Sequence, residues 1–309
     1  MKHLTIPEWI AHFLAADPPR SKSLVMTVFG DAVSPHGGSV WLGSLIELAA
    51  PFGISDRLVR TSVFRLAQEG WLAAARDGRR SAYTIAPSAL ARFEHANRRI
   101  YLPLDGHWDG SWTLLLAGAS PLGAAERTRL RKELAWEGYA QLAPGVLGHP
   151  AGSAEVLDEV LTRLALHGQA PVCSVRDLPG TAGRPLRELV GECWDLAPVI
   201  ASYLHFADVF GPLLALLRRG CGALSPQQAF VVRTLLVHAY RRVQLHDPML
   251  PMELLPAPWP GAQAYELARE IYRATFALAE QHVMEVLRRE DPDAPQADAS
   301  FYDRFGGLE

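Results

Sequence analysis

Cysteine is scarce in this chain, and its scarcity narrows the classes of protein to consider. The 309 residues include three cysteines, Cys173, Cys193 and Cys221, which form no Cys-x-x-Cys pair. We therefore expect neither a disulfide framework nor a thiolate zinc site, and a reducing cytoplasm suits such a chain. No apolar run approaches the ~20 residues of a membrane helix, so we expect a soluble cytoplasmic protein without membrane association.

Recognisable catalytic motifs are also lacking. The chain contains no GxSxG, HExxH or GxGxxG sequence, which excludes the common hydrolase and dinucleotide-binding signatures. His238 and His246 are separated by two turns of a predicted helix, about 12 Å along its axis at ~1.5 Å per residue, too far apart for one metal ion. We predict no catalytic residues, no metal and no bound cofactor.

Positive charge is concentrated in one segment. Residues 55–99 hold nine arginines, no lysine and four acidic residues, a local balance of +5. The whole chain has a net charge of −3, so the remainder carries −8. Such a segment suits local binding of a polyanion, although arginines also line ordinary helix surfaces.

The same segment lies in a stretch of short helices followed by two strands. Ser55 is a favourable N-cap for a helix over 56–69, Gly70 favours its end, and Asp77-Gly78 is a strong hairpin signal. The predicted elements are helices over 22–29 (ending at Gly30), 43–50 and 56–69, a short strand over 39–41, and strands over 71–76 and 81–85. This order is that of a winged helix-turn-helix.

The third helix has two distinct faces. Val59, Val63, Leu66 and Ala67 recur at helical spacing and are expected to pack inward. In this architecture the opposite face enters the major groove, where arginine binds both acceptors of guanine, and the hairpin contacts phosphates or the minor groove. The predicted DNA contacts are Arg57, Arg60, Thr61, Arg65 and Gln68 on the helix, and Arg76, Arg79, Arg80, Ser81 and Tyr83 on the hairpin. The alternative is a solvated helix face beside an ordinary basic turn.

Longer motifs resemble a known family. HGGSVWLGSL (36–45), LVRTSVFRLAQEGWL (58–72), GRRSAYTI (78–85), WDGSWTLLL (108–116), HAYRRVQLHDPMLPMELLPAPWPG (238–261) and FYDRFGGL (301–308) are similar to segments of the PaaX family. This family comprises transcriptional repressors of phenylacetic acid degradation genes. The resemblance extends from about Ser21 to the last residues, but not over residues 1–20.

The resemblance implies a fold, an effector and an assembly. It implies an α+β chain with a winged helix-turn-helix over 20–101, a ferredoxin-like domain for dimerisation or spacing over 102–177, and an all-helical effector-response domain over 184–309. It also implies a homodimer that leaves double-stranded operator DNA when it binds phenylacetyl-CoA or a related aryl-CoA.

The middle segment fits a β-α-β-β-α-β scheme. We predict strands over 111–117, 146–147 and 172–175, and helices over 124–137 and 155–167. This order of predicted strands and helices resembles the small CRISPR-associated nuclease fold, in which an aspartate follows the first strand. Here Gly118, Ala119 and Ser120 follow it, and Mg²⁺ chemistry needs a carboxylate, so a nuclease is disfavoured.

The C-terminal segment supplies candidate ligand contacts. Arginines suit the phosphates of CoA, and aromatic side chains suit an aryl group. The candidates are Trp194, Arg233, Tyr240, Arg241 and Arg242, the last four on a helix predicted over 226–245. For any single aromatic residue the favoured interpretation is the core of a helical bundle, and Arg241 or Arg242 can instead pair with Asp247 or Asp303.

Two other functions stay open at this point. A CoA-thioester-processing enzyme with an appended DNA-binding domain would need a nucleophile beside a base, and no such pair stands at recognisable spacing. A co-regulator that uses the winged helix for protein contact is disfavoured by the basic helix face. The sequence favours a DNA-binding repressor.

Overall fold

Helices and two small antiparallel sheets form the part of the chain that the computed structural model describes, residues 4–78, 80–102, 107–178, 180, 182–220 and 224–308. The helices are α1 (Ile6–Ala16), α2 (Ser21–Val28), α3 (Leu42–Ala49), α4 (Asp56–Gln68), α5 (Leu90–Tyr101), α6 (Ala124–Trp136), α7 (Ala154–Arg163), α8 (Val190–Cys193), α9 (Ala197–Arg218), α10 (Pro226–Gln244), α11 (Pro260–Glu290) and α12 (Ala299–Tyr302). The strands are β1 (Ser39–Trp41), β2 (Leu72–Asp77), β3 (Arg80–Ile85), β4 (Trp112–Leu116), β5 (Ala140–Ala143), β6 (Val146–Pro150) and β7 (Val172–Val175). The fold is α+β, as predicted.

The chain forms two compact units, and three helices pass from one to the other. One unit contains Met1–Pro103, His205–Arg242 and Gln263–Glu309, and the other contains Leu104–Leu204 and Val243–Ala262. C-terminal helices thus share a unit with the N-terminal helices and hairpin. The division into three sequence domains stays a prediction, and its joints over 102–106 and 178–183 include residues outside those described.

The first unit contains a three-stranded sheet in the order β1-β3-β2. The short strand β1, the helices α3 and α4 and the β2–β3 hairpin agree with the sequence prediction to within a residue or two. The prediction that Gly30 ends the preceding helix is wrong, because the chain continues through a π-helical turn over Phe29–Val33. A Cβ at Gly30 would lie 3.2 Å from Phe93 Cζ, so this glycine permits close packing rather than helix termination.

The second unit contains a four-stranded sheet in the order β5-β6-β4-β7, with every neighbouring pair antiparallel. The β-α-β-β-α-β order is as predicted, but the prediction includes no residue range for the strand β5. The helix α7 ends at Arg163, before the predicted residue 167, because Ala165 adopts a left-handed conformation (φ 57°) that a helix cannot contain.

The two faces of this second sheet pack in different ways. Alternate residues of a strand point to opposite faces, and in β4 Leu115 joins a cluster with Leu130 and Leu134 of α6 and Val160 of α7. Trp112 points the other way and packs with the group Val190, Trp194 and Leu250. Both faces are therefore covered by apolar side chains.

The helix α9 corrects the expectation that no apolar run reaches membrane-spanning length. Its 22 residues have a mean hydropathy of 1.6 over the most apolar window, enough by length and composition alone to cross a membrane. However, Phe206, Phe210 and Leu213 lie buried along one side, and Asp208 is exposed on the other. With 33% of that window buried, α9 has the single buried stripe that is typical of a helix packed on the surface of a globular protein.

The helix α1 lies in the segment that no motif covered. It begins with a capping box in which Thr5 and Glu8 bind each other's backbone N–H groups. Trp9 packs on Phe210 of α9 with ring centroids 5.4 Å apart, and its indole Nε1 donates to the carbonyl of Val209. This N-terminal helix therefore packs directly on a C-terminal helix of the same unit.

Candidate nucleic-acid interface

The helix α4 has one buried face and one exposed cationic face. Val59, Val63 and Leu66 are almost fully buried, while the opposite face is exposed. The exposed residues predicted to contact DNA are Arg57, Arg60, Thr61, Arg65 and Gln68. The sequence-predicted helix face is thus on the surface of the first unit.

The ends of α4 follow from local chemistry, with one difference from the prediction. Gly70 has φ +74° and its N–H binds the carbonyl of Ala67, so glycine ends the helix as predicted. Ser55 occupies the N-cap position with extended backbone, but its side chain makes no capping hydrogen bond. Asp56, in the first turn, supplies negative charge where the helix dipole favours it.

Contacts from α2 fix the position of α4. The hydroxyls of Ser21 and Ser62 lie 2.7 Å apart, and Ser21 also donates to the carbonyl of Leu58. Lys22 forms an exposed ion pair with Glu69 just beyond the end of α4. These contacts hold the buried side of α4 against α2 and leave its cationic side exposed.

Two predicted contacts on α4 already have partners within the helix. Arg60 Nε lies 2.5 Å from Asp56 Oδ1 in an exposed ion pair one turn apart. Thr61 Oγ1 donates to the carbonyl of Arg57 at 2.8 Å. An exposed pair of this kind contributes little to stability, about 0–1 kcal/mol, so a stronger anionic partner can displace it.

The β2–β3 hairpin that the Asp77-Gly78 signal predicts is present, but Asp77 is the last residue of β2 and not a turn residue. Asp77 pairs with Arg80 in register, and Gly78 has φ +57°, as such a turn requires. Arg76 is exposed on β2, whereas Ser81 and Tyr83 of β3 are half-buried. Arg79 lies outside the described residues.

Arg80 makes contacts inside the first unit. Its guanidinium carbon lies 4.1 Å from the centre of the Trp41 ring, a cation–π contact. On the other side its Nη2 donates to the backbone carbonyl of Glu290 at 2.8 Å, at the C-terminal end of α11. A cation at a helix C-terminus is favourable, so Arg80 ties the hairpin to α11.

Glu290 and Arg289 extend this connection to α3. A Cβ built on Gly43 would lie only 2.0 Å from Glu290 Oε1, so the missing side chain of Gly43 makes room for that carboxylate. Arg289 is bound to Glu47 of α3. The end of α11 thus contacts both α3 and the hairpin, a relation that sequence reasoning missed because its residues lie more than 200 positions apart.

Arg233, a predicted ligand contact, is instead in a buried ion-pair cluster. Its Nε lies 2.9 Å from Asp31 Oδ2 and its Nη1 lies 2.5 Å from Glu280 Oε1, with the arginine and the aspartate fully buried. Burial raises the pKa of the Glu280 carboxyl, but the charge of Arg233 and a hydrogen bond from His36 outweigh it and lower that pKa to about 2. Arg233 therefore has two carboxylate partners of its own.

The other predicted ligand contacts have partners as well. Tyr240 is fully buried beside the rings of Phe206 and Phe305, and Arg241 Nη2 lies 3.1 Å from Ser23 Oγ. Arg242 forms an exposed ion pair with Asp17 at 2.8 Å. Trp194 belongs to the other unit, where its indole donates to the carbonyl of Gly138. The structure does not gather the five candidates into one pocket in either unit, and their ligand role stays a prediction.

A different part of the first unit contains an open apolar cleft. It has a volume of about 610 Å³ and lies among α1, the end of α3 and the start of α10. Its lining includes Ile10, Leu14, Pro51 and Val231, with Glu47 among its few polar residues. Within the described ranges, no three His, Cys, Asp or Glu side chains gather in an arrangement that suits a metal ion.

Comparison with known proteins places the chain in a class. Three family models match it, "PaaX-like protein" over residues 20–89, "PaaX protein central Cas2-like domain" over 105–186 and "PaaX-like protein C-terminal domain" over 194–285. Transcriptional repressor PaaX of Escherichia coli is 38% identical over 303 residues, 97% of this chain and 94% of that protein. A structure of uncharacterized protein Rv0674 from Mycobacterium tuberculosis matches with a TM-score of 0.46 and 25% identity, over 81% of this chain and 96% of that one.

These matches define the class as a transcriptional repressor and not an enzyme, which confirms the prediction from the sequence. The chain belongs to the PaaX-like family.

Proposed function

We propose that this chain represses transcription by inserting α4 into the major groove of operator DNA while the β2–β3 hairpin contacts the neighbouring backbone. The observation that carries the proposal is the exposed face of α4, where Arg57, Arg60 and Arg65 stand opposite a buried apolar face. The guanidinium group matches the two acceptors of guanine in the major groove. We interpret α2–α4 with the hairpin as a winged helix-turn-helix.

We further propose that the chain acts in the cytoplasm as a homodimer whose DNA binding is controlled by an effector. The strand order and antiparallel pairing of the second unit support the ferredoxin-like interpretation of the middle segment. We propose phenylacetyl-CoA or a related aryl-CoA as the effector. The apolar cleft beside α3 suits only the aryl part of such an effector, because its described lining includes Glu47 and no arginine or lysine for the CoA phosphates. An occupant of this cleft would contact the helix that precedes the proposed DNA-binding helix.

Selection of binding sites tests DNA recognition. The purified chain is allowed to select duplexes from a random-sequence pool, and affinity for the selected duplex is measured by mobility shift at fixed salt. Replacing Arg57 or Arg65 by Ala is expected to weaken binding about 5- to 150-fold each, since one bidentate contact to guanine is worth ~1–3 kcal/mol. Arg187→Ala, which removes an exposed arginine from the other unit, is the matched control. Equal affinities for all three variants would contradict the assignment of α4.

Effector titration tests the proposal that an aryl-CoA compound releases the chain from DNA. Phenylacetyl-CoA, benzoyl-CoA, acetyl-CoA and free CoA are each added to the protein–DNA complex while release is followed by fluorescence anisotropy. We expect the aryl-CoA compounds to release DNA at lower concentration than acetyl-CoA or CoA, with no free thiol formed. Thiol release would instead indicate thioester hydrolysis, and equal effects of all four compounds would contradict an aryl-specific effector.

A further inference from the structure

Phe64 is unusual among the residues of α4. It is a large apolar side chain that is 60% exposed to solvent, and Leu58 is 49% exposed on the same helix. Single exposed apolar residues are common on protein surfaces and need no explanation by themselves. The position of Phe64 on the helix is what distinguishes it.

Phe64 stands in the middle of the cationic face. It follows Arg60 by four residues and precedes Gln68 by four, and residues at this spacing are neighbours on a helix surface. At 100° per residue it lies on the side opposite the buried Val59 and Leu66. Leu58, in contrast, lies at the edge that faces α2, where its carbonyl accepts a hydrogen bond from Ser21.

Thr61 adds a second apolar group beside Phe64. Its hydroxyl donates to the carbonyl of Arg57 at 2.8 Å, so its hydrogen-bonding group is used within the helix. The threonine methyl and the Phe64 ring, three residues apart, then form a small apolar spot among arginines. A spot of this kind matches a DNA base edge that presents both an apolar group and acceptors.

We propose that Phe64 is a specificity residue that contacts the 5-methyl group of a thymine in the major groove, with Thr61 beside it. This inference rests on the proposed DNA binding by α4. In the major groove the thymine methyl is the apolar group of the base edges, and phenylalanine and threonine methyl groups are typical partners for it. A protein partner at the same place would have to remove water from Arg57, Arg60 and Arg65 without phosphates to balance their charge.

Thymine-to-uracil scanning tests the contact. In the duplex that the protein selects, each thymine is replaced in turn by deoxyuridine, which lacks only the 5-methyl group. The wild-type protein is expected to lose about fourfold in affinity at one or two positions per half-site, about 0.8 kcal/mol for one buried methyl. Phe64→Ala should bind the thymine and uracil versions of those positions equally, and Phe64→Leu should keep part of the difference.

Controls separate this inference from the proposed function. Leu58→Ala should retain the wild-type preference for thymine, and thermal melting of the Phe64 variants should match that of the wild type because the ring is exposed. If the protein selects no duplex, the proposed function fails. If it selects one but the scan is flat, or Phe64→Ala still discriminates thymine from uracil, the inference about Phe64 is wrong. If Phe64→Ala changes the oligomeric state by sedimentation and leaves the scan unchanged, Phe64 is a protein contact instead.

Discussion

Removing the charge of Glu280 should reveal how strongly the buried ion-pair cluster holds the first unit together. Glu280 lies 2.5 Å from Arg233 and 3.0 Å from His36, and its pKa is lowered to about 2 from an ordinary value of 4.5. Since each tenfold change in proton affinity is worth ~1.36 kcal/mol, the difference between these two pKa values corresponds to about 3 kcal/mol of stability. Loss of one partner from a buried ion pair typically costs a similar amount, ~3–5 kcal/mol.

The pH dependence follows from the direction of this shift. Because the carboxyl has a lower pKa in the folded protein than in the unfolded chain, its contribution is fully present above pH ~4.5 and disappears as the pH falls toward ~2. Glu280→Gln should therefore be about 3 kcal/mol less stable than the wild type at pH 7. The difference between the two proteins should shrink below pH 4.5.

Urea denaturation followed by circular dichroism measures both effects. Glu285→Gln is the matched control, because Glu285 lies on the same helix and forms an exposed pair with Arg289. Exposed pairs contribute about 0–1 kcal/mol, so the control should change the free energy of unfolding little. A Glu280→Gln variant no less stable than Glu285→Gln at pH 7, or a difference that does not vary between pH 5 and pH 3, would refute the reasoning.

Three further predictions concern the hairpin, its anchor and a buried histidine. Arg76→Ala should reduce the slope of log affinity against log salt by about 1. Arg80→Ala should leave the slope unchanged, because the Arg80 side chain is already bound within the first unit, and equal slopes for the two variants would contradict this difference. Gly43→Ala should only turn aside the Glu290 carboxylate that lies 2.0 Å from the added Cβ, because Arg80 is held by the Glu290 backbone carbonyl, so hydrogen exchange over residues 72–85 should stay unchanged. Faster exchange would contradict the assignment of the backbone carbonyl as the anchor of the hairpin. Burial, with the charges of two nearby arginines, lowers the pKa of His238 to about 4, so its neutral form stabilises the fold above pH 6.5, and about 3 kcal/mol of stability should be lost as the pH falls from 6.5 to 4. His238→Asn should lack that loss, and a variant with the same pH profile of stability as the wild type would rule out this role of His238.

Local signals predicted α4 and the β2–β3 hairpin, the elements that we propose to bind DNA. Each of these signals acts over a few residues, so the sequence alone suffices to place α4 and the hairpin. The signals are the periodicity of Val59, Val63 and Leu66, the helix stop at Gly70 and the Asp77-Gly78 hairpin signal. The expectation that no apolar run reaches membrane-spanning length failed because α9 is apolar beyond the stripe that it buries, so a helix packed on a globular protein can match a membrane helix in length and composition. Neither length nor composition separates the two cases.

Contacts between distant parts of the chain were not predictable in the same way. Arg233 meets Asp31 and Glu280, and Arg80 meets Glu290, only after the C-terminal helices pack on the N-terminal elements. One signal was available, because an arginine inside the apolar run Ala229–Val237 must be buried and buried arginines need carboxylate partners. The sequence does not say which carboxylates these are.

Methylation interference on the selected duplex tests most directly whether α4 binds in the major groove. Methylation of guanine N7 blocks an acceptor in the major groove, whereas methylation of adenine N3 blocks one in the minor groove. The wild-type protein should be excluded by methylated guanine at defined positions, and Arg57→Ala with Arg65→Ala should lose that sensitivity. Binding that is insensitive to guanine N7 methylation, or equally sensitive in the double variant, would contradict the assignment of α4 as the helix that recognises DNA.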